Sequence, residues 1–283
     1  MGAIIDLQNP HCLVKLIQIA VEVCEGHALG TVSKALNLLD ILKSSDTQIG
    51  LSEISRQSGF DKATTRRLLL ELMANGFVEQ DPIDKYYVLG PTLQILGKAR
   101  EERFPLYRTL LPIVKSLAQF TGETVHASEY AAGVLMTIHT QESEKSNRVS
   151  LAVGQKLPLH ATASGLAFLA ASPITFVDSF LRRPRVSFTA HTPQDVEPLL
   201  TLITQTKRRG YALSNQLLEV GIHSVASAFL DSRGKPIGTI AVAMPSIRAD
   251  GKKIESCGKA VAAAALDIST KMFGRSTALR KAS

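Results

Sequence analysis

The chain has 283 residues, 45% of them hydrophobic and 20% charged, the balance expected of an ordinary globular protein with room for two domains. No apolar run reaches the length of a membrane span, and the three widely spaced cysteines, Cys12, Cys24 and Cys257, offer neither a disulfide framework nor a zinc knuckle. The net charge of +7 is unevenly spread: residues 1–104 hold 11 basic and 13 acidic side chains, so the global excess says little about nucleic acid.

Residues 1–30 read as a helical N-terminal extension. Within it, Lys15, Gln18 and Glu22 interrupt the apolar run 12–24 as an amphipathic helix requires and a signal peptide does not. With no export signal, a cytoplasmic protein is expected. Residues 31–44 repeat Ala35, Leu38, Leu39 and Leu42 at helical spacing. A second helix follows, with Ser52 as its expected cap, then a turn at Gly59. The third helix is capped by Asp61 and stopped by Asn75-Gly76. Its front carries Lys62, Thr64, Thr65, Arg66 and Arg67, and its back Leu68, Leu69, Leu72 and Met73. Donors and cations at the front of a helix with a packed back are what major-groove reading needs.

Two short strands, 77–81 and 85–89, flank Pro82-Ile83-Asp84 and complete a winged helix-turn-helix over 31–90. Pro91 opens a linker helix, 91–104. The remainder, 105–274, mixes helices (105–120, 162–171, 195–209, 252–273) with strands (123–130, 133–139, 148–153, 222–230, 236–244). That order predicts an α+β domain with a sheet covered on one side. Residues 275–283 are a small basic tail.

These pieces, in this order, resemble the IclR family of bacterial transcriptional regulators. The resemblance rests on Ala35-Leu-Asn-Leu-Leu39, Ser58-Gly-Phe60, Ala63-Thr-Thr-Arg-Arg-Leu-Leu69, Asn75-Gly-Phe-Val78 and Tyr87-Val-Leu-Gly90. It continues through Thr121-Gly-Glu-Thr124, Leu157 to Gly165, Arg209-Gly-Tyr-Ala212 and Gly234 to Pro245. It implies an N-terminal winged helix and a C-terminal GAF-like antiparallel sheet with helices. The implied partners are double-stranded operator DNA, a small-molecule effector and a second copy of the chain, as a homodimer alone or paired into a tetramer. No cofactor, metal, membrane or catalytic activity is implied. Leu166 stands where the family usually has lysine, and Leu213-Ser214-Asn215 where it usually has an acidic pair.

The candidate DNA contacts are Lys62, Thr64, Thr65, Arg66 and Arg67, with Lys85 and Tyr86 on the wing. Aligned family positions make Val149, Ala163, Ser164, Ser214, Ile222, Ser224, Ala241 and Ala243 the candidate effector residues. Thr162-Ala-Ser-Gly165 offers hydroxyls and amides at a helix start, which favours a small organic acid or semialdehyde. The histidines His126, His139, His160, His191 and His223 form no tight metal-binding pair, and His160 is expected to bond backbone near the pocket. No nucleophile elbow surrounds Ser164. Two other readings stand beside this one: a metal-dependent sensor or enzyme on a GAF-like scaffold, and an architectural DNA-binding protein with a degenerate sensor domain.

Overall fold

The computed structural model describes residues 30–45 and 48–274. The segment 12–24 and the tail 275–283 lie outside them. The chain divides into two compact units, one up to Ala99 and one from Arg100.

The first unit contains α1 (Thr31–Ser44), α2 (Leu51–Ser58), α3 (Lys62–Ala74), β1 (Val78–Gln80) and β2 (Tyr87–Leu89). One face of each helix supplies the core: Leu38 and Leu42, Ile54, and Leu68 and Leu69, closed by Ile49, Val78 and Tyr87. Gly59 ends α2 at φ 71°, a left-handed conformation that lets the chain reverse into α3. Asp61 then caps α3 by accepting from the Thr64 amide at 2.8 Å. The expected Ser52 cap is absent. Gly50 is the N-cap and Ser52 already lies inside the helix, so the capping hydroxyl comes two residues too late. β1 and β2 pair antiparallel, and the Tyr87 amide bonds Ile49 as well. Both strands are shorter than expected, because Asp81 to Tyr86 form a closed turn. α4 (Thr92–Arg103) starts directly after Pro91.

The second unit is built on five antiparallel strands in the order β4-β3-β7-β6-β5: β3 (Thr124–Ala131), β4 (Val134–Gln141), β5 (Ala212–Asn215), β6 (Ile222–Leu230) and β7 (Pro236–Pro245). Contrary to expectation, the sheet is covered on both faces. On one face α5 (Leu106–Thr121) and α9 (Gly251–Phe273) pack on Val125, Ala127, Val225, Ile240 and Val242. On the other, α6 (Ala163–Ala171), α7 (Ile174–Leu181) and α8 (Val196–Arg209) pack on Leu135, Ala212, Ala226 and Ala241. Central strands buried on both faces lose strict alternation, which is why β7 is apolar nearly throughout.

Three elements correct the sequence reading. Residues 148–153 form no strand. The outer edge of β4 is taken instead by 154–157, through Thr137 N to Gln155 O, Gly154 N to Thr137 O and Leu157 N to Leu135 O. α7 and β5 were not expected. α7 has the β-branched and aromatic composition of a strand, but Pro173 caps it and its Val177 enters the core. β5 has four residues and exists because β6 offers it an edge.

Candidate functional site

Two surfaces carry the predicted site residues. On α3, Lys62, Arg66 and Arg67 are exposed, and none has a hydrogen-bond or ion-pair partner among the described residues. Positions 62, 66 and 70 follow one another at i, i+4 spacing, so Leu70, 52% exposed, continues the same stripe. Thr64 is partly buried, and its hydroxyl donates to Asp61 Oδ2 at 2.7 Å, completing the cap. Thr65 must be withdrawn as a DNA contact. It is 0% exposed, and its hydroxyl donates to the Asp61 carbonyl at 2.9 Å, on the face that packs against the core.

The wing is tightly folded. Asp81 accepts from the amides of Ile83 and Asp84, and Lys85 has φ 60° with its ammonium donating to the Pro82 carbonyl at 2.7 Å. Tyr86 is 40% exposed, while Ile83, at the tip, is 84% exposed. Lys85 is thus turned back on its own loop, and the free cations of this unit's candidate surface are those of α3.

The second surface is the inner sheet face beneath α6. Residues opposite one another in antiparallel strands share a face, as do residues two apart along a strand. The registers therefore align Ser214, Ser224, Ala243 and Thr124 in one row, and Ala212, Ala226, Ala241, His126 and Thr140 in the next. Ile222 begins the same face opposite Pro245. Val149 is tied to it through its carbonyl, which accepts from Thr124 Oγ1 at 2.6 Å. Above lies the start of α6. Thr162 caps it, accepting from the Gly165 amide at 2.9 Å. The Ala163 and Ser164 amides, both in residues at most 2% exposed, bond nothing among the described residues. The fold thus brings strand and helix candidates separated by up to 80 positions onto one layer, all of them buried except the partly exposed Ile222 and Ser224.

His126 is the member of this layer that sequence reasoning passed over as a site residue. Its Nε2 lies 3.3 Å from Ser164 Oγ. Burial pushes its imidazole down to about 4, so it is neutral near pH 7. Its sequence signal, a lone histidine in an alternating strand, resembles any core histidine. His160 bonds the Val186 carbonyl at 2.8 Å, and burial lowers it as well. Glu123 is the one buried carboxylate among the described residues. Burial opposes its charge, but hydrogen bonds from Arg248 and Lys145 outweigh that and hold it below the ordinary value. Burial pushes the Cys257 thiol up.

An open depression of about 560 Å³ lies elsewhere on this unit, lined by His191, Asp195, Leu202, Asn215 and Leu217 among others. It contains none of the eight candidate residues. Its buried hydroxyl, Thr192, already bonds the amides of Phe188 and Thr189 and the carbonyl of Leu217. Its other polar side chains, His191, Gln194 and Asp195, are exposed and already solvated, so it is the weaker ligand site. No group of three potential metal ligands occurs among the described residues, and none of their helices is long and apolar enough to cross a membrane.

Comparison with known proteins matches both units to one family. The model for the IclR helix-turn-helix domain matches residues 31–82, and that for the bacterial transcriptional regulator IclR C-terminal matches residues 101–270. The chain is 31% identical over 213 residues to the glycerol operon regulatory protein of Streptomyces coelicolor, covering 75% of this chain and 83% of that one. It is 27% identical over 248 residues to the acetate operon repressor of Salmonella typhimurium, covering 86% and 90%. Among solved structures, the IclR transcriptional regulator of Alicyclobacillus acidocaldarius superposes with a TM-score of 0.76 at 26% identity, covering 86% of this chain and 99% of that one.

Proposed function

Because the chain belongs to the IclR family of bacterial transcriptional regulators, and is a DNA-binding regulator rather than an enzyme, we propose specific roles for its two surfaces. Lys62, Arg66 and Arg67 of α3 enter the major groove of operator DNA, with Arg66 reading a base edge and Thr64 beside a phosphate. Tyr86 lies against the backbone from the wing. The observation that carries this assignment is the row of three exposed cations with no partner in the protein. Lys85 contributes less, since its ammonium is already engaged.

Residues 105–274 are assigned effector binding and oligomerisation, and residues 91–104 the linker. The effector is a small organic acid or semialdehyde. Its carboxylate sits at the two free amides of Ala163 and Ser164, where the positive end of α6 favours an anion. Ser214 and Ser224 face it, and the small side chains of Ala163, Ala241 and Ala243 line the rest. Binding changes operator affinity to the extent that the effector prefers one of the DNA-competent and DNA-incompetent states. The chain acts in the cytoplasm as a homodimer, alone or as a dimer of dimers, and represses, as the name of the Salmonella relative states for that protein.

Ser164→Leu tests the effector site. The larger side chain crowds the α6 start, where Ser164 is buried, and leaves the first unit untouched. The variant is expected to lose stabilisation by short carboxylic acids in thermal melts while still retarding operator DNA in gel shifts. A variant with the full thermal shift would place the pocket elsewhere.

A further inference from the structure

Five buried side-chain atoms among the described residues have no hydrogen-bond partner: His126 Nδ1, Ser128 Oγ, Thr137 Oγ1, Thr140 Oγ1 and Thr239 Oγ1. All five lie on the inner face of the sheet. Ser128 is opposite Thr137 on one side and Thr239 on the other, and His126, in the adjacent row, is opposite Thr140. Ser128, Thr137 and Thr239 are 0% exposed. Buried hydroxyls are nearly always paired, so a contiguous patch of unpaired ones is a recognition surface rather than packing.

The patch adjoins the proposed carboxylate anchor, since His126 and Ser164 are within 3.3 Å. Beyond it, Tyr130 stacks on Phe168 at 4.3 Å and meets Phe176 edge-on, closing that end with aromatic rings. No Lys or Arg among the described residues is buried on this face. Glu123, just before β3, is held by Lys145 and Arg248. The patch therefore suits an uncharged oxygen group and offers nothing to neutralise a second carboxylate.

We propose that Ser128, Thr137 and Thr239, with His126, form a second polar subsite, and that the effector is a monocarboxylic acid whose hydroxyl or carbonyl lies about 7 Å from its carboxylate. That spacing is one two-residue step along a strand, from the His126 row to the Ser128 row. The inference rests on the carboxylate anchor of the preceding section and adds the chemistry of the ligand's other end. Since Ser128, Thr137 and Thr239 are fully buried, a ligand reaches them only if α6 or the adjoining loop opens.

Calorimetry and thermal melts of the full chain with butanoate, pentanoate and hexanoate, each beside its ω-hydroxy and ω-oxo counterpart and the matching dicarboxylate, test it. At least one hydroxy or oxo acid is expected to bind about tenfold or more tighter than its plain counterpart, because the plain acid leaves the buried hydroxyls unpaired. The dicarboxylate is expected to bind more weakly than either. The nearly isosteric double variant Ser128→Ala/Thr239→Val is expected to erase the preference while keeping the affinity for the plain acid. Thr137→Val serves the same purpose if the double variant does not fold. Plain acids binding as tightly as their counterparts, or a preference that survives these substitutions, would overturn the second subsite and leave the anchor standing. Failure of every acid to bind would remove the anchor and this inference together.

Discussion

His126 is the residue at which burial, charge and site meet. Its ordinary value is 6.5, and in the folded chain burial lowers it to about 4. Between those values the unfolded chain binds a proton that the folded chain does not. Stability therefore rises with pH across the window and is lost as pH falls from 6.5 toward 4, by at most about 1.4 kcal/mol per pH unit. Melts of the wild type and His126→Asn from pH 4 to 7 are expected to show a shallower slope for the variant. Burial lowers His139, His160 and His223 too, so the difference between the two curves, and not the wild-type curve, reports on His126. Identical slopes would mean that folding leaves the proton affinity of His126 unchanged. Gly165 makes a second point at this scale. A Cβ there would lie 2.3 Å from Leu159 Cα and 2.4 Å from its carbonyl oxygen, both backbone atoms that cannot swing away. Gly165→Ala is expected to cost about 1–3 kcal/mol by overpacking, read as a lowered Tm. Only glycine lets the α6 start sit this close to the 157–160 segment.

Among the elements, α3 was the most legible. Its cap, its back and its front are all written within fifteen consecutive residues, and helical hydrogen bonds span only four. What sequence alone misjudged was Thr65. One helical position from Arg66, it points inward, because its hydroxyl bonds back to Asp61. Arg66→Ala is therefore expected to relax operator preference by about 1–3 kcal/mol, whereas Thr65→Val leaves the ratio of operator to random-duplex affinity unchanged. Titrations of both DNAs decide it, and an unchanged ratio in Arg66→Ala would rule out base reading. Lys62→Ala is expected to weaken both duplexes alike and to reduce the salt slope by about 1. By contrast, α7 and β5 were illegible, since each depends on a surface supplied from elsewhere: the rings of Tyr130 and Phe168 against Phe176 for α7, the free edge of β6 for β5.

At the scale of the whole molecule, charge and function are distributed differently. The basic excess lies in residues 105–283, yet the proposed DNA contacts lie in the part that is slightly acidic. Lys207, Arg208 and Arg209 close α8, where cations suit the helix end, and the Arg209 guanidinium lies 5.5 Å from the Tyr211 ring centre. Lys207→Gln/Arg208→Gln is accordingly expected to leave operator affinity and its salt dependence unchanged. A salt slope reduced by two in that variant would bring this helix into the DNA interface.

Local signals were enough for the helix boundaries set by Asp61, Gly59 and Thr162, for the adjoining strands β6 and β7, and for the order of motifs that marks the family. Each is encoded within a few neighbouring residues, because caps, turns and helical periods are short-range interactions. The tertiary structure alone decided that the sheet is buried on both faces, and that His126, Ser128, Thr137 and Thr239 share one of them with Ser164. Those residues are up to 113 positions apart, and their meeting depends on strand register. A shift of one residue would turn every hydroxyl to the opposite face, and register is fixed by long-range pairing and by the helices that cover each side.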